Sequence, residues 1–202
     1  LSVKYLRKLI IKNNDQYHWR GVLHEYLENK NEQEVGEVQG DYVVISGRKG
    51  NRSLDKDKYL KDAKILEIAY IAGDDPDLLP RYAFYCAQSY KDAGQINKAI
   101  EWYLKRAELD TGWYDEKYCS FEQLGLLYES EKNYKDALSY WQMGIAYDPQ
   151  RAECWYHSAR RHSWDHHPEL AYCFAKQASE IKMPEGNRKK KKKDIYKFWS
   201  LY

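Results

Sequence analysis

Residues 118–149 read YCSFEQLGLLYESEKNYKDALSYWQMGIAYDP. Around Ala137, small residues and rings recur at the spacing of one helix face, followed by a proline at the exit. Two helices approach closely only where Gly or Ala lies at the contact, and rings fill the spaces that remain. The stretch therefore predicts two antiparallel helices packed together through these positions: Phe121, Leu124, Gly125, Tyr128, Ala137, Trp141, Gly144 and Pro149.

The same pattern occurs before and after this stretch. Ala171 lies 34 residues after Ala137, and Ala99 lies 38 residues before it. The later unit places Trp155, Ala159, Ala171, Ala175 and Ala178 on the same slots, and the earlier one places Ala87, Tyr90, Gly94, Ala99 and Tyr103 there. The departures are His162 in place of Tyr, Arg106 in place of a small residue, and four extra residues around Thr111–Tyr114.

These slots resemble the tetratricopeptide (TPR) repeat, and the resemblance implies a mainly α fold in which helix pairs stack as a right-handed α-α superhelix. One pair cannot bury its apolar face alone, whereas several stacked pairs form a continuous core. Residues 57–72 carry Ala63, Leu66 and Ala69 at helical spacing and predict a helix that caps the stack. We expect the array to cover residues 54–184, between a segment of residues 1–53 and a basic tail of residues 185–202. A generic helical bundle is the alternative.

The first 53 residues show no repeat and predict a strand and loop segment. Tyr42, Val43, Val44 and Ile45 form a β-branched run typical of a short strand. Gly47–Ser53 is a basic, turn-rich loop. The chain begins with Leu1 and shows no signal-peptide pattern, so we expect it to be part of a longer protein.

Two motifs here resemble family-2 glycosyltransferases of the GT-A fold. Residues 19–27, WRGVLHEYL, look like the closing motif of that family. Residues 46–53, SGRKGNRS, followed by residues 57–63, are similar to a junction beyond which a TPR array follows the catalytic domain. The resemblance implies that this chain is the C-terminal part of a nucleotide-sugar-dependent glycosyltransferase whose array serves acceptor or protein binding. The acceptor of the intact enzyme is expected to be a glycan or a protein.

That resemblance also implies what the chain lacks. Such enzymes hold a nucleotide sugar and a divalent metal, Mn or Mg, on paired aspartates after a strand. Here Asp55 and Asp57 open a helix, and Asp74 and Asp75 lie in a turn. We therefore expect no cofactor, no metal and no activity in this chain alone.

The resemblance leaves a small remnant of a site. His24 corresponds to a position near the acceptor and the diphosphate, where an imidazole could ligate metal in the intact enzyme and Glu25 could orient it. The alternative is a structural histidine. Arg48, Lys49 and Arg52 could contact phosphate, since a Gly-flanked basic loop presents backbone N–H groups and charge together, or could form a solvated interdomain loop.

The first helices of the array carry the best binding site that the sequence offers. Residues at the slots that usually face inward are mixed in charge and include rings, which suits an extended peptide or protein segment. The alternative is a face that only spaces a catalytic domain. These residues are Arg81, Phe84, Gln88, Lys91, Glu122, Leu126, Glu129, Glu153, Tyr156 and Arg160.

Charge and composition narrow the remaining functions. The formal net charge is +2, but Arg188–Lys193 contributes six positive charges and leaves 27 positive against 31 negative, a net of −4, elsewhere. Nucleic acid is therefore an unlikely partner, because phosphate backbones need a basic face. The basic run could be a localisation or anionic-surface patch, or a solvated linker to Ile195–Trp199. The mean hydropathy of −0.90 argues against a membrane span.

Cysteine and histidine placements point to no metal. Cys86, Cys119, Cys154 and Cys173 lack the paired spacing of a zinc site and are expected to be reduced and packed, which fits the cytoplasm. His162 and His166 could share a helix face as ligands, but Pro168 favours a polar turn between helices. The competing functional interpretation is a free-standing TPR scaffold that mediates protein–protein interaction.

Overall fold

The computed structural model describes residues 10–11, 16–29, 31, 36, 40, 54–183 and 195–196, and every structural statement below concerns these residues. A β-hairpin comes first, and helices follow it. The strands are β1 (Tyr17–Arg20) and β2 (Tyr26–Asn29), paired antiparallel. The helices are α1 (Lys58–Ala72), α2 (Leu79–Asp92), α3 (Ile96–Glu108), α4 (Tyr114–Ser130), α5 (Tyr134–Tyr147), α6 (Ala152–Trp164) and α7 (Pro168–Glu180), with a 3₁₀ turn at Pro76–Leu78 before α2.

Each helix packs against the next one along the chain, as in a solenoid of helix pairs. The pairs α2–α3, α4–α5 and α6–α7 are closed by three-residue turns whose middle residue is left-handed: Gly94 (φ 74°), Lys132 (φ 61°) and His166 (φ 59°). In each turn the backbone N–H of the residue after the left-handed one donates to the carbonyl oxygen five residues earlier at 2.9 Å, as Gln95 does to Tyr90. Asn133 donates to Tyr128 and His167 to His162 in the same way, so the repeat read from the sequence is also a geometric repeat.

Small residues lie where the helices meet. Ala99 and Ala137 are fully buried, while Ala171 in the last pair is half-buried. The backbone of Gly125 lies directly against the indole of Trp141, and a side chain at Gly144 would come within 2.6 Å of Cys154 Sγ on α6. The predicted small slots therefore serve both contacts within a pair and contacts between pairs. The fold is mainly α, a stack of TPR-like helix pairs.

The core is built of rings more than of aliphatic side chains. Trp102, Trp141, Tyr103, Tyr118 and Phe84 are all almost fully buried. Each large ring removes much apolar surface from water, so a chain with a polar average composition still has a packed interior. A smaller second cluster joins Ala152, Ala178 and Ile195 at the far end of the stack.

The two departures of the first unit explain one another. Arg106 stands where a small residue is usual, and it is buried with 1% of its surface exposed. Its guanidinium donates to the carbonyl oxygens of Leu109 (3.0 Å) and Trp113 (2.9 Å). The arginine thus holds the extra residues between α3 and α4, and burial lowers the pKa of its side chain.

Within the opening segment, residues 17–29 form a hairpin and not another helix of the stack. The predicted strand at Tyr42–Ile45 and the predicted loop at Gly47–Ser53 lie outside the described residues, as does the run Arg188–Lys193. The predicted capping helix is α1, which ends at Gly73 in a left-handed conformation (φ 68°). No helix among the described residues is long and apolar enough to cross a membrane.

We predict that Gly125→Ala lowers the free energy of unfolding by about 1–3 kcal/mol, because the added methyl overlaps the buried Trp141 ring. This holds although Ala is the better helix former by about 1 kcal/mol. Urea unfolding followed by circular dichroism measures the change. As a control, the same substitution should cost less in a Trp141→Leu background, where the shorter side chain leaves room. Stabilisation by Gly125→Ala would contradict the packing described here.

Candidate functional site

Seven of the ten predicted groove residues form a partly exposed stripe across three helices, which we call the first-helix face. It crosses α2, α4 and α6, the first helices of the three pairs. Its polar members carry both charges, and its apolar surface comes from one leucine and one tyrosine. The first-helix face consists of Arg81, Gln88, Lys91, Leu126, Glu129, Tyr156 and Arg160.

The other three predicted groove residues are interior, which corrects the sequence expectation. Phe84, Glu122 and Glu153 have no exposed surface. Phe84 packs edge-on against Tyr103, with ring centroids 5.9 Å apart. Helical spacing identifies the side of a helix but not the neighbour that covers it. Phe84 is covered from α3, Glu122 from α6 and Glu153 from α4.

Bonds between neighbouring first helices hold the side chains of the first-helix face in place. Lys91 Nζ donates to Gln123 Oε1 on α4 at 2.8 Å. The guanidinium of Arg160 on α6 pairs with Glu129 on α4 and lies over the Trp164 ring, 4.7 Å from its centroid. Side chains that are already fixed lose less conformational entropy on binding a partner than mobile ones do.

A charged cluster lies buried behind the first-helix face. Arg151 donates to both carboxylate oxygens of Glu153, at 3.2 and 2.8 Å, and lies 4.1 Å over the Tyr118 ring. Asp115 approaches the same guanidinium at 3.7 Å. Burial alone would lower the pKa of Arg151, but the hydrogen bonds to Glu153 raise it, so the guanidinium keeps its charge. Removing one partner of such a pair costs about 3–5 kcal/mol, which makes the cluster a structural joint between α4 and α6.

A second buried pair joins the same helices. His157 Nε2 lies 3.3 Å from Glu122 Oε1, and the imidazole stacks on the Trp141 ring at 5.3 Å. Sequence reasoning placed Glu122 in the groove and did not single out His157. Only the packing of α6 on α4 brings these side chains together.

The hairpin is fixed to the start of the array by charge. Arg20 on β1 donates to both carboxylate oxygens of Asp75, at 2.7 and 2.6 Å, and to Asp77 at 3.1 Å. These bonds raise the pKa of Arg20 and lower that of Asp75. Arg81 on α2 donates to the carbonyl oxygen of His24 at 2.6 Å.

The predicted catalytic remnant, His24 and Glu25, lies in the turn of this hairpin. Both side chains are exposed, and His24 has a left-handed backbone (φ 54°). Its imidazole stacks on Tyr85 of α2, with centroids 3.8 Å apart. In this chain the ring of His24 thus contributes to docking the hairpin. The candidate phosphate contacts Arg48, Lys49 and Arg52 lie outside the described residues.

An open pocket of about 350 Å³ lies between α6 and α7. It shares Tyr156 and Arg160 with the first-helix face and adds the small side chains Ala159 and Ala171 and the ring of Trp164. Its lining is mostly apolar, with one guanidinium, which suits a ring or an aliphatic side chain.

The histidines and cysteines form no metal site within the described chain, where no three His, Cys, Asp or Glu side chains are placed to share an ion. His162 stacks on Phe174 at 5.2 Å, and His166 lies in the turn between α6 and α7. Cys86, Cys119 and Cys154 are buried free thiols, whereas Cys173 is exposed, contrary to the expectation that all four are packed. Burial raises the pKa of the Cys86 and Cys154 thiols, so neither is a ready nucleophile.

Comparison with known proteins adds little to this geometry. No family model matches the sequence, and no curated protein matches it either. Solved structures do match, among them one titled "Crystal structure of MamA", at 18% sequence identity and a TM-score of 0.33. The match covers 68% of this chain and 96% of that one. We draw no functional conclusion from a likeness at that TM-score.

We predict that His162 makes folding sensitive to mild acid. Burial, and secondarily His167, lowers the pKa of His162 from its usual 6.5. A base whose folded pKa is depressed contributes stability above its unfolded pKa, and loses it as the pH falls below about 6.5. The His162→Tyr variant restores the residue found at Tyr90 and Tyr128, and should lose less stability than the parent between about pH 7.5 and pH 5.5.

Urea unfolding at the two pH values measures the difference, and NMR titration of the His162 ring checks its cause. The ring should titrate below the same residue in the urea-unfolded chain. A midpoint at or above the unfolded value would contradict the prediction.

Proposed function

We propose that this chain is a helical-repeat interaction module whose first-helix face binds an extended segment of a partner protein. One observation carries the proposal. Three consecutive first helices present partly exposed polar and apolar side chains at equivalent positions, and bonds between the helices hold several of them in place. Each pair can then contact a successive part of an extended chain, which gives a long and specific surface without a deep pocket.

The chemistry of the face indicates the kind of partner. Arg81, Lys91 and Arg160 offer cationic groups, Glu129 offers an anion, and Leu126 and Tyr156 offer apolar surface. Such a mixture suits a segment with both charged and apolar side chains rather than a uniformly acidic or basic one. The titratable groups buried nearby are committed to structural pairs, as in Arg151 with Glu153.

We predict that substitutions on the first-helix face weaken peptide binding, while matched substitutions elsewhere do not. Peptides selected by display against the folded chain supply the ligand, and calorimetry supplies the affinity. Lys91→Ala and Leu126→Ala should each reduce affinity about tenfold, a typical effect of truncating a side chain at the centre of an interface. Lys135→Ala and Met143→Ala on the exposed side of α5 are the matched controls and should have little effect.

Circular dichroism confirms that all four variants fold. An equal loss of peptide affinity in the face variants and the control variants would contradict the proposed face, and so would peptide affinities that none of the four substitutions changes.

As a second candidate, we propose that the array belongs to a longer enzyme, following the resemblance of residues 19–27 and 46–63 to family-2 glycosyltransferases. Two structural observations favour an attached body. The hairpin of residues 17–29 is not part of the repeat and is fixed to the array through Arg20 and Asp75. The outer side of α1 exposes Ile65, Ile68 and Ile71, which lie at helical spacing and have 43–74% of their surface accessible.

We predict that this chain alone does not bind a nucleotide sugar, because its closely spaced aspartates in the described residues precede helices and do not follow a strand: Asp55 and Asp57 lie before α1, and Asp74 and Asp75 before α2. Calorimetry with uridine diphosphate sugars and Mn²⁺ measures this. The full-length protein, if its reading frame extends upstream, should bind the nucleotide sugar. Binding by the short chain, or silence from a longer one, would contradict the glycosyltransferase candidate and leave the interaction module untouched.

A further inference from the structure

The pocket between α6 and α7 lies where the other pairs carry a large ring. Four residues after the small residue of the second helix, the first pair has Tyr103 and the second has Trp141, both fully buried. The third pair has Ala175 at that position, and Ala175 lines the pocket. The pocket of about 350 Å³ therefore lies where the other pairs place a large ring against the small residues of the first helix.

A segment near the end of the sequence already docks beside this pocket. Ile195 is buried against Ala152 and Ala178. The hydroxyl of Tyr196 donates to Glu153 Oε2 at 2.9 Å and accepts the N–H of Ala152 at 3.2 Å. Ala178 in the third pair corresponds to Gly144 in the second pair, and Gly144 contacts Cys154 of the next helix. Ile195 packs against Ala178, so it corresponds in position to Cys154.

The sequence that follows brings a ring within reach. Trp199 comes three residues after Tyr196, a span of at most about 10 Å when extended. Glu153, where Tyr196 is held, lies one helical turn, about 5 Å, from Tyr156 at the edge of the pocket. In a helical register Trp199 would share one face with both Ile195 and Tyr196, whereas Phe198 would not.

We propose that the indole of Trp199 from this chain's own tail occupies the pocket between α6 and α7. The indole supplies the ring that the third pair lacks. This goes beyond the proposed interaction function. A partner that binds the first-helix face would contact Tyr156 and Arg160 but could not enter the pocket beside them, because Trp199 occupies it.

A double-mutant cycle tests the proposal in the full chain, without any partner. Trp199→Ala should lower the folding equilibrium constant about tenfold or more, the effect expected for losing a buried ring. Ala175→Trp places a ring in the pocket from α7, and in that background Trp199→Ala should have little effect. Trp19→Ala is the matched control, because Trp19 is 66% exposed, and should be nearly neutral.

Disulfide trapping gives a second readout that does not depend on stability. In a Cys173→Ser background that keeps Trp199, Ser200→Cys and Ser163→Cys on the pocket wall should form an intramolecular disulfide under mild oxidation. The same pair in a Trp199→Ala background should form much less. A disulfide-linked dimer would assign the pocket to a second copy, and an additive cycle with no disulfide would leave it to another occupant. Either result overturns the proposal, and neither bears on peptide binding by the first-helix face.

Discussion

The rest of this structure depends on the contact between the backbone of one glycine, Gly125, and the indole ring of Trp141. Gly125 lets the indole of Trp141 lie against α4, and this brings α5 close enough for the pair to exclude water. The same indole then stacks on His157 of α6, so one ring joins two successive pairs. Close-packed interiors tolerate little change in volume, which is why the small and large positions must alternate in register along the chain.

The interior also carries charged side chains. Arg106 holds the loop between α3 and α4, and Arg151 at the start of α6 contacts Asp115 and Tyr118 of α4. Buried ion pairs add little to stability over apolar side chains, but they penalise any arrangement that separates them. Their value here is specificity: Arg106 fixes the path of the loop from α3 to α4, and the cluster around Arg151 fixes α6 beside α4. This explains how a chain with a mean hydropathy of −0.90 still forms one defined stack.

Function follows from what the stack leaves outside. Arg106, Arg151 and Glu153 are committed to internal bonds, while the first-helix face and the pocket between α6 and α7 stay accessible. Both proposals assign these two surfaces to a polypeptide, from a partner or from the chain's own tail. The hairpin anchored by Arg20 and the exposed isoleucines of α1 lie towards the other end, where a further body could attach.

The sequence by itself determined the repeat, since Gly, Ala and aromatic residues recur with the helical period. That period identifies the buried side of each helix from local sequence alone. It also anticipated the helix pairs and the left-handed turn at Gly94, whereas the binding role of the first-helix face stays a prediction. Only the tertiary structure decided that Phe84, Glu122 and Glu153 are interior, that Arg106 spans a loop, and that His24 stacks on Tyr85. Those outcomes depend on which side chains from distant segments meet, and a period along one helix carries no information about the helix that comes to cover it.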